Sequence, residues 1–373
     1  MTPLEEINEK RLRLSDFLAQ HGLDMVLLSR RANFAWLTAG CSNHVSQASD
    51  VGTATLVATR DVIRCVANCI ESPRMQTEEL QDRRIEVITY PWYDEAAASA
   101  VWAEVVGRQR AAADSLLPGM PGHVTLLPPA FSQLRWKLCR AERRRYRALG
   151  AAVGAGLQEV CRQIEPGQSE HEVGAALAAR LHREGIRTPV ILVAADERID
   201  RFRHPIPTER RVTRRVMVVV AGERDGLISS ATRLVVFGAL PSGLRRKHDA
   251  VVRVDAALMA ATTPGRPLCE VFAEGRRAYA DAGFADEWKL HHQGGPTGYA
   301  GRELRATATT TMPVLADQAF AWNPSITGTK SEDTILVRAD KVEVLTQAVD
   351  WPMIEVDVGG TTWRRPDILV RDA

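Results

Sequence analysis

No window of this chain approaches the roughly 18 uninterrupted apolar residues of a membrane span, and no low-complexity tract or tight internal repeat is present. Charge of one sign is missing as well. The net charge is only +2 over 373 residues, so no global field recruits nucleic acid or anionic membrane. Basic residues do cluster at 140–147 and 210–215, but the first cluster falls on an expected helix and reads more simply as a solvated face than as a polyanion site. The six cysteines (Cys41, Cys65, Cys69, Cys139, Cys161 and Cys269) lack metal-ligand pairing. They are expected to be reduced and mostly buried in a cytoplasmic protein. The opening residues, MTPLEEINEKRLRL, carry charges and no apolar stretch, so no secretory signal is expected there.

What is present is an ordinary globular composition, 45% hydrophobic and 25% charged, in a chain long enough for two domains. Residues 4–20 repeat apolar side chains at helical spacing, and strands are expected at 24–29, 53–59, 62–68 and 85–90 with a helix over 95–108. This is an α/β rhythm with parallel-sheet character. It fades in an irregular, Pro- and Gly-rich stretch at 111–129, read as the linker between a domain at 1–130 and another at 131–373. A long helix over 140–163 follows, stopped by Glu165-Pro-Gly167. Ser169-Glu-His-Glu172 has capping-box form and opens a further helix. Strands at 188–195, 215–221 and 226–237, helices at 244–261 and 268–282, and strands at 319–322, 333–338 and 341–345 complete an α+β pattern that suggests internal pseudo-symmetry.

Four segments of the second half carry chemistry in a particular order. They are RFRHPIPTER (201–210), the strand pair ending DGLISSATR (225–233), HHQGG (291–295), and AWNPSI (321–326) with KSEDT (330–334). In this order they resemble the creatinase, aminopeptidase P and prolidase hydrolases, the M24 or pita-bread family, and RANFAWLT (31–38) fits that family's first domain. The resemblance implies an α/β N-terminal domain, an α+β pita-bread C-terminal domain and a homodimer. It also implies a two-metal centre of four carboxylates and one imidazole, because hard or borderline divalent cations want anionic, partly bridging oxygen.

Counted from Thr232-Arg233, the implied ligand positions hold Val219, Ser230, His292, Asn323 and Glu332. Valine has no donor atom, and neutral serine and asparagine do not bridge. The expectation is therefore a site with no metal and no cofactor. Creatinase, as the resemblance implies, works without metal through a histidine acid/base, and its counterpart here is His204, whose imidazole titrates near neutrality. His292 and Glu332 join it as expected catalytic residues, although His292 can equally be a vestigial ligand and Glu332 a buried acceptor for His292 or Lys330. Asn323, Lys330, Ser230, Arg233, Tyr299, Trp322 and His291 are expected around the substrate, with Asn43 and His44 fed in from the first domain. Arg233 also fits a structural role, and Tyr299 and Trp322 fit ordinary core.

Three functions stay open. The leading one is a metal-independent, creatinase-like hydrolase or lyase acting on a small amino-acid-derived, amidino or amide substrate, with no nucleic-acid or membrane partner. The second is an inactive pita-bread domain that binds a peptide or protein. The third is an Xaa-Pro aminopeptidase-type peptidase with an unconventional metal site.

Overall fold

The computed structural model describes residues 1–347 and 350–372. Its chain divides into two compact units, one of Met1–Arg135 with Cys139–Glu142, the other of Trp136–Leu138 with Arg143–Ala373.

The first unit is built on a six-stranded mixed sheet. Its strands are β1 (Met25–Arg30), β2 (Val51–Ala58), β3 (Ile63–Asn68), β4 (Glu86–Tyr90), β5 (Ala111–Ala113) and β6 (Thr125–Leu126), in the order β4-β3-β2-β1-β5-β6. β1–β2 and β2–β3 are antiparallel; the other pairings are parallel. The expected linker at 111–129 is thus corrected, because it supplies two strands of this sheet. Three alanines carry no periodicity, yet they are small enough to be wholly buried beside β1. Helix Pro3–His21 opens on a Thr2–Glu5 capping box and ends at Gly22 in the left-handed conformation. Its Lys10 is fully buried, and the ammonium donates to Glu6 (2.6 Å) and the Trp36 carbonyl (2.5 Å) and pairs with Glu142 (2.8 Å).

The second unit holds two four-stranded sheets. One has the order β18-β9-β8-β7, from β7 (Arg187–Ala195), β8 (Arg215–Arg224), β9 (Leu227–Phe237) and β18 (Leu369–Arg371). The other has the order β10-β11-β14-β15, from β10 (Gly294–Thr297), β11 (Gln318–Trp322), β14 (Asp333–Val337) and β15 (Val342–Val344). Two hairpins accompany them: β12 (Ser325–Ile326) with β13 (Thr329–Lys330), and β16 (Met353–Val358) with β17 (Thr361–Pro366). Helix Glu170–His182, capped by the expected Ser169–Glu172 box, packs along β7. Helix Arg140–Gln163 is tied to β9 where the Tyr146 hydroxyl donates to the Ile228 carbonyl (2.5 Å). Helices Ser242–Ala261 and Leu268–Asp281 cover the second sheet over a core that includes Val251, Val254, Leu258, Phe320, Trp322 and Ile335.

Trp322 therefore belongs to the core and does not wall a pocket. Its ring stacks on Phe320 and its indole N–H donates to Thr262 Oγ1 (2.9 Å), which satisfies the only polar atom it buries. Among the described cysteines none is bonded to another; four are buried, Cys69 is exposed and Cys269 is half-buried.

Candidate functional site

The two sheets of the second unit meet where β9 runs beside the segment 330–334. Thr232 N–H donates to the Glu332 carbonyl (3.1 Å), and Thr334 Oγ1 receives the Ser230 N–H (2.7 Å) and donates to the Ser230 carbonyl (3.0 Å). This junction brings most of the expected site residues into one region, with roles that differ from expectation.

Glu332 sits at its centre. One carboxylate oxygen receives the Lys330 ammonium (2.7 Å) and the Thr232 hydroxyl (2.7 Å), and the other receives the Arg302 guanidinium (3.1 Å). Burial alone would raise its pKa, but Lys330 and Arg302 outweigh it and hold Glu332 down at about 2. It stays ionised and is held by three donors of the chain itself. Of the two partners expected for it, Lys330 is the one that the carboxylate holds, and no hydrogen bond to His292 is present among the described residues. Arg233 is corrected. Its guanidinium is 1% exposed and is spent on Asp333 (3.0 Å) and the Thr346 and Thr232 carbonyls, as a buried charge must be, so it does not reach a substrate.

Three imidazoles form a second cluster. His291 lies at the end of the turn Glu287–Leu290, and the Gln293 carboxamide fixes its backbone by donating to the His291 carbonyl (2.5 Å) and the Trp288 carbonyl (3.2 Å). The Tyr279 hydroxyl stands against Gln293 Oε1 (2.8 Å) and accepts the Ser325 N–H (2.9 Å), so helix Leu268–Asp281 orients both sides of this loop. His204 arrives on an exposed loop pinned by its neighbours. Arg203 donates to Glu287 and to Thr327 Oγ1 (2.9 Å each), and the Pro205 carbonyl accepts from Val193 of β7 (3.2 Å).

His204 Nε2 lies 3.2 Å from His291 Nε2, and His291 Nδ1 lies 3.4 Å from Ser325 Oγ. One ligand nitrogen from each of His204, His291 and His292 falls within 4.8 Å of the others. His204 is exposed, His292 half-buried and His291 buried. Burial first, and then the Lys330 charge, pull His291 down to about 2. Burial and the Arg302 and Arg305 charges take His292 to about 4. His204 is lowered by the same causes to a lesser degree, so all three rings are neutral near pH 7. Two buried acceptors here have no hydrogen-bond partner among the described residues, His292 Nδ1 and Asn323 Oδ1. Asn323 itself is held by its N–H, which donates to the Gln293 carbonyl (3.0 Å).

Asn43 and His44 lie in the first unit and are engaged there. Asn43 is buried and its carboxamide donates to the Ser29 (2.9 Å) and Ala54 (2.7 Å) carbonyls, tying its loop to β1 and β2; His44 Nδ1 meets Ser42 Oγ. Tyr299 is buried, next to Gly298, whose carbonyl accepts from Ile228 (2.8 Å). The residues that sequence reasoning missed are Arg302, Arg305 and Ser325. No strand alternation or motif marks the two arginines, which lie in a loop, and Ser325 falls inside the AWNPSI segment without having been singled out.

The dinuclear centre implied by the resemblance does not fit this donor set. Val219 is packed into the core with Leu192, Met217 and Leu234, and Ser230 and Asn323 offer only neutral oxygen. The remaining carboxylate is already neutralised by two side-chain cations.

No curated protein matches the chain. Solved structures match it throughout. A dipeptidase PepE from Mycobacterium ulcerans superimposes with a TM-score of 0.78 at 20% identity, covering 100% of both chains. An Xaa-Pro dipeptidase from Bacillus anthracis gives 0.78 at 16% identity over 98% of this chain and 100% of its own. The N-terminal domain of FACT complex subunit SPT16 from Cicer arietinum gives 0.69 at 12% identity over 92% and 97%. These likenesses establish the pita-bread fold. The model for metallopeptidase family M24 matches residues 144–339, just over half of the sequence, and the chain belongs to that family.

Proposed function

We propose that this protein is a hydrolase of the M24 line that acts on a small amino-acid-derived amide or amidino substrate without the family's two-metal centre. The observation that carries the reading is the clamp on Glu332. Lys330 and Arg302 hold the one retained carboxylate of the ligand set, so the positive charge at this place is supplied by the chain. Beside it stands an imidazole group that is neutral at pH 7, and His204 within it is open to solvent. A neutral, partly exposed imidazole can take a proton from an attacking water and return it to a leaving nitrogen. The unpartnered Asn323 Oδ1 offers an acceptor to a substrate N–H, and Arg302 and Arg305 favour a carboxylate on the same molecule.

The test is turnover by chelator-treated protein of a panel of small amides, amidino acids and Xaa-Pro dipeptides. Hydrolysis that survives chelation and falls by about 10²–10⁴ in His204→Ala supports the reading. Hydrolysis that appears only with two manganese, cobalt or zinc ions per chain overturns it, and so does turnover indifferent to His204.

A further inference from the structure

We propose that His204, His291 and His292 form a binding site for one borderline divalent cation of the zinc class, which shares only His292 with the ligand seats of the family's carboxylate-bridged pair. Tetrahedral zinc with Zn–N bonds of about 2.0–2.1 Å holds its ligand nitrogens roughly 3.3–3.4 Å apart. His204 Nε2 and His291 Nε2 are 3.2 Å apart, and none of the three ligand nitrogens is beyond 4.8 Å from another. Two ring nitrogens facing each other at that distance can share only one hydrogen when neutral, whereas a cation between them takes both lone pairs.

Two further observations point the same way. The ligating His291 has an outer partner, Ser325 Oγ at 3.4 Å from its other nitrogen, in the position where such ligands are oriented. His292 brings a buried Nδ1 that no described residue satisfies. The three rings come from two separate segments, and His204 lies on an exposed loop. With three protein ligands, a fourth position stays open to water or substrate, as in a catalytic rather than a structural zinc site.

The surroundings define which cation fits. Lys330, Arg302 and Arg305 oppose any cation and Glu332 only partly offsets them. A metal with strong affinity for imidazole is needed, and magnesium and manganese, which want oxygen, are excluded. Part of the consequence rests on the metal-free reading above. If His204 is the acid/base group, a cation on its lone pair silences it, and zinc acts as an inhibitor.

The experiment titrates chelator-stripped full-length protein with Co²⁺, read by visible absorption, and with Zn²⁺, read by calorimetry. The expected result is one ion per chain with the intense absorption of a four-coordinate site, and no heat with Mg²⁺ or Mn²⁺. His204→Ala and His291→Ala are each expected to weaken binding by roughly 100-fold or more. Ser230→Ala and Asn323→Ala leave it unchanged, whereas an ion in the family's seats would respond to both. His204→Ala changes only an exposed loop side chain, so its folding is secure. Absence of the cobalt spectrum, two ions per chain, or binding indifferent to His291 overturns the site. Turnover by stripped protein that binds no zinc refutes this site alone. Zinc binding without metal-free turnover refutes the hydrolase mechanism alone.

Discussion

Lys330 and Glu332 are two positions apart in an extended stretch, which puts both side chains on one face and lets them pair inside the protein, where each is under 5% exposed. Breaking one partner of such a pair leaves an uncompensated buried charge. Glu332→Gln is therefore expected to destabilise the fold by about 3–5 kcal/mol in urea unfolding, and the double variant Glu332→Gln with Lys330→Met should recover part of that loss. If the double variant is no better than the single, the pairing is not what holds this junction. At His204 the pH dependence has a definite sign. Burial and the neighbouring cations lower its pKa, so the acid limb of the kcat/KM profile should have its midpoint below the usual imidazole value of about 6.5; a midpoint above that value would contradict the environment described. The identities in the ligand seats, Val219, Ser230 and Asn323, were readable once the resemblance had placed those seats. Direction was not readable. Arg233 and Trp322 look like site residues by sequence position, and only packing reveals that one serves Asp333 and the other the core.

Among the elements, β10 depends most on backbone shape. Gly294 has φ +99°, and a Cβ there would lie 2.1 Å from the Ala321 carbonyl of the paired strand. Gly294→Ala should thus prevent β10 from closing on β11 and cost on the order of 3 kcal/mol or more, seen as a large drop in melting temperature together with loss of whatever activity His291 and His292 support. A variant with unchanged melting temperature would show that the strand has another way to pair. What comes close to the glycines of HHQGG is backbone, the Ala321 carbonyl at Gly294 and the Leu304 carbonyl at Gly295. Elements with a strong local signal were legible: the Ser169–Glu172 box, the β8–β9 pair and helix Ser242–Ala261 all fall within a few residues of expectation. β5 and β6, with five residues between them, carry no period to detect. The hairpin β16–β17 went unread even though Ile354, Val356 and Val358 alternate with Glu355 and Asp357 and pack with Trp363 on the core, and Gly359 and Gly360 mark its turn.

For the molecule as a whole, a buried histidine adds to the response to acid. His248 is wholly buried in helix Ser242–Ala261. Its Nδ1 meets Thr329 Oγ1 (2.7 Å) and its Nε2 the Pro366 carbonyl (3.2 Å), and burial drives its pKa from 6.5 to about 4. The unfolded chain binds this proton first, so the stabilisation is complete above pH 6.5 and is lost as pH falls from there toward 4. That loss is expected to reach roughly 3 kcal/mol, measured as the unfolding free energy in urea at pH 7 and pH 4.5, and His248→Asn should flatten the slope. A slope unchanged by that substitution would assign the acid sensitivity elsewhere. The Lys330–Glu332–Arg302 clamp has a different kind of consequence. A cation that is part of the polypeptide is delivered by translation, in fixed stoichiometry, and needs no loading step. Under the metal-free reading, starvation for manganese, zinc or cobalt, which silences an enzyme that must recruit its charge from the medium, is expected to leave turnover unchanged. A carboxylate-bridged pair at these seats would require carboxylates at three of them and removal of the cations that hold the fourth.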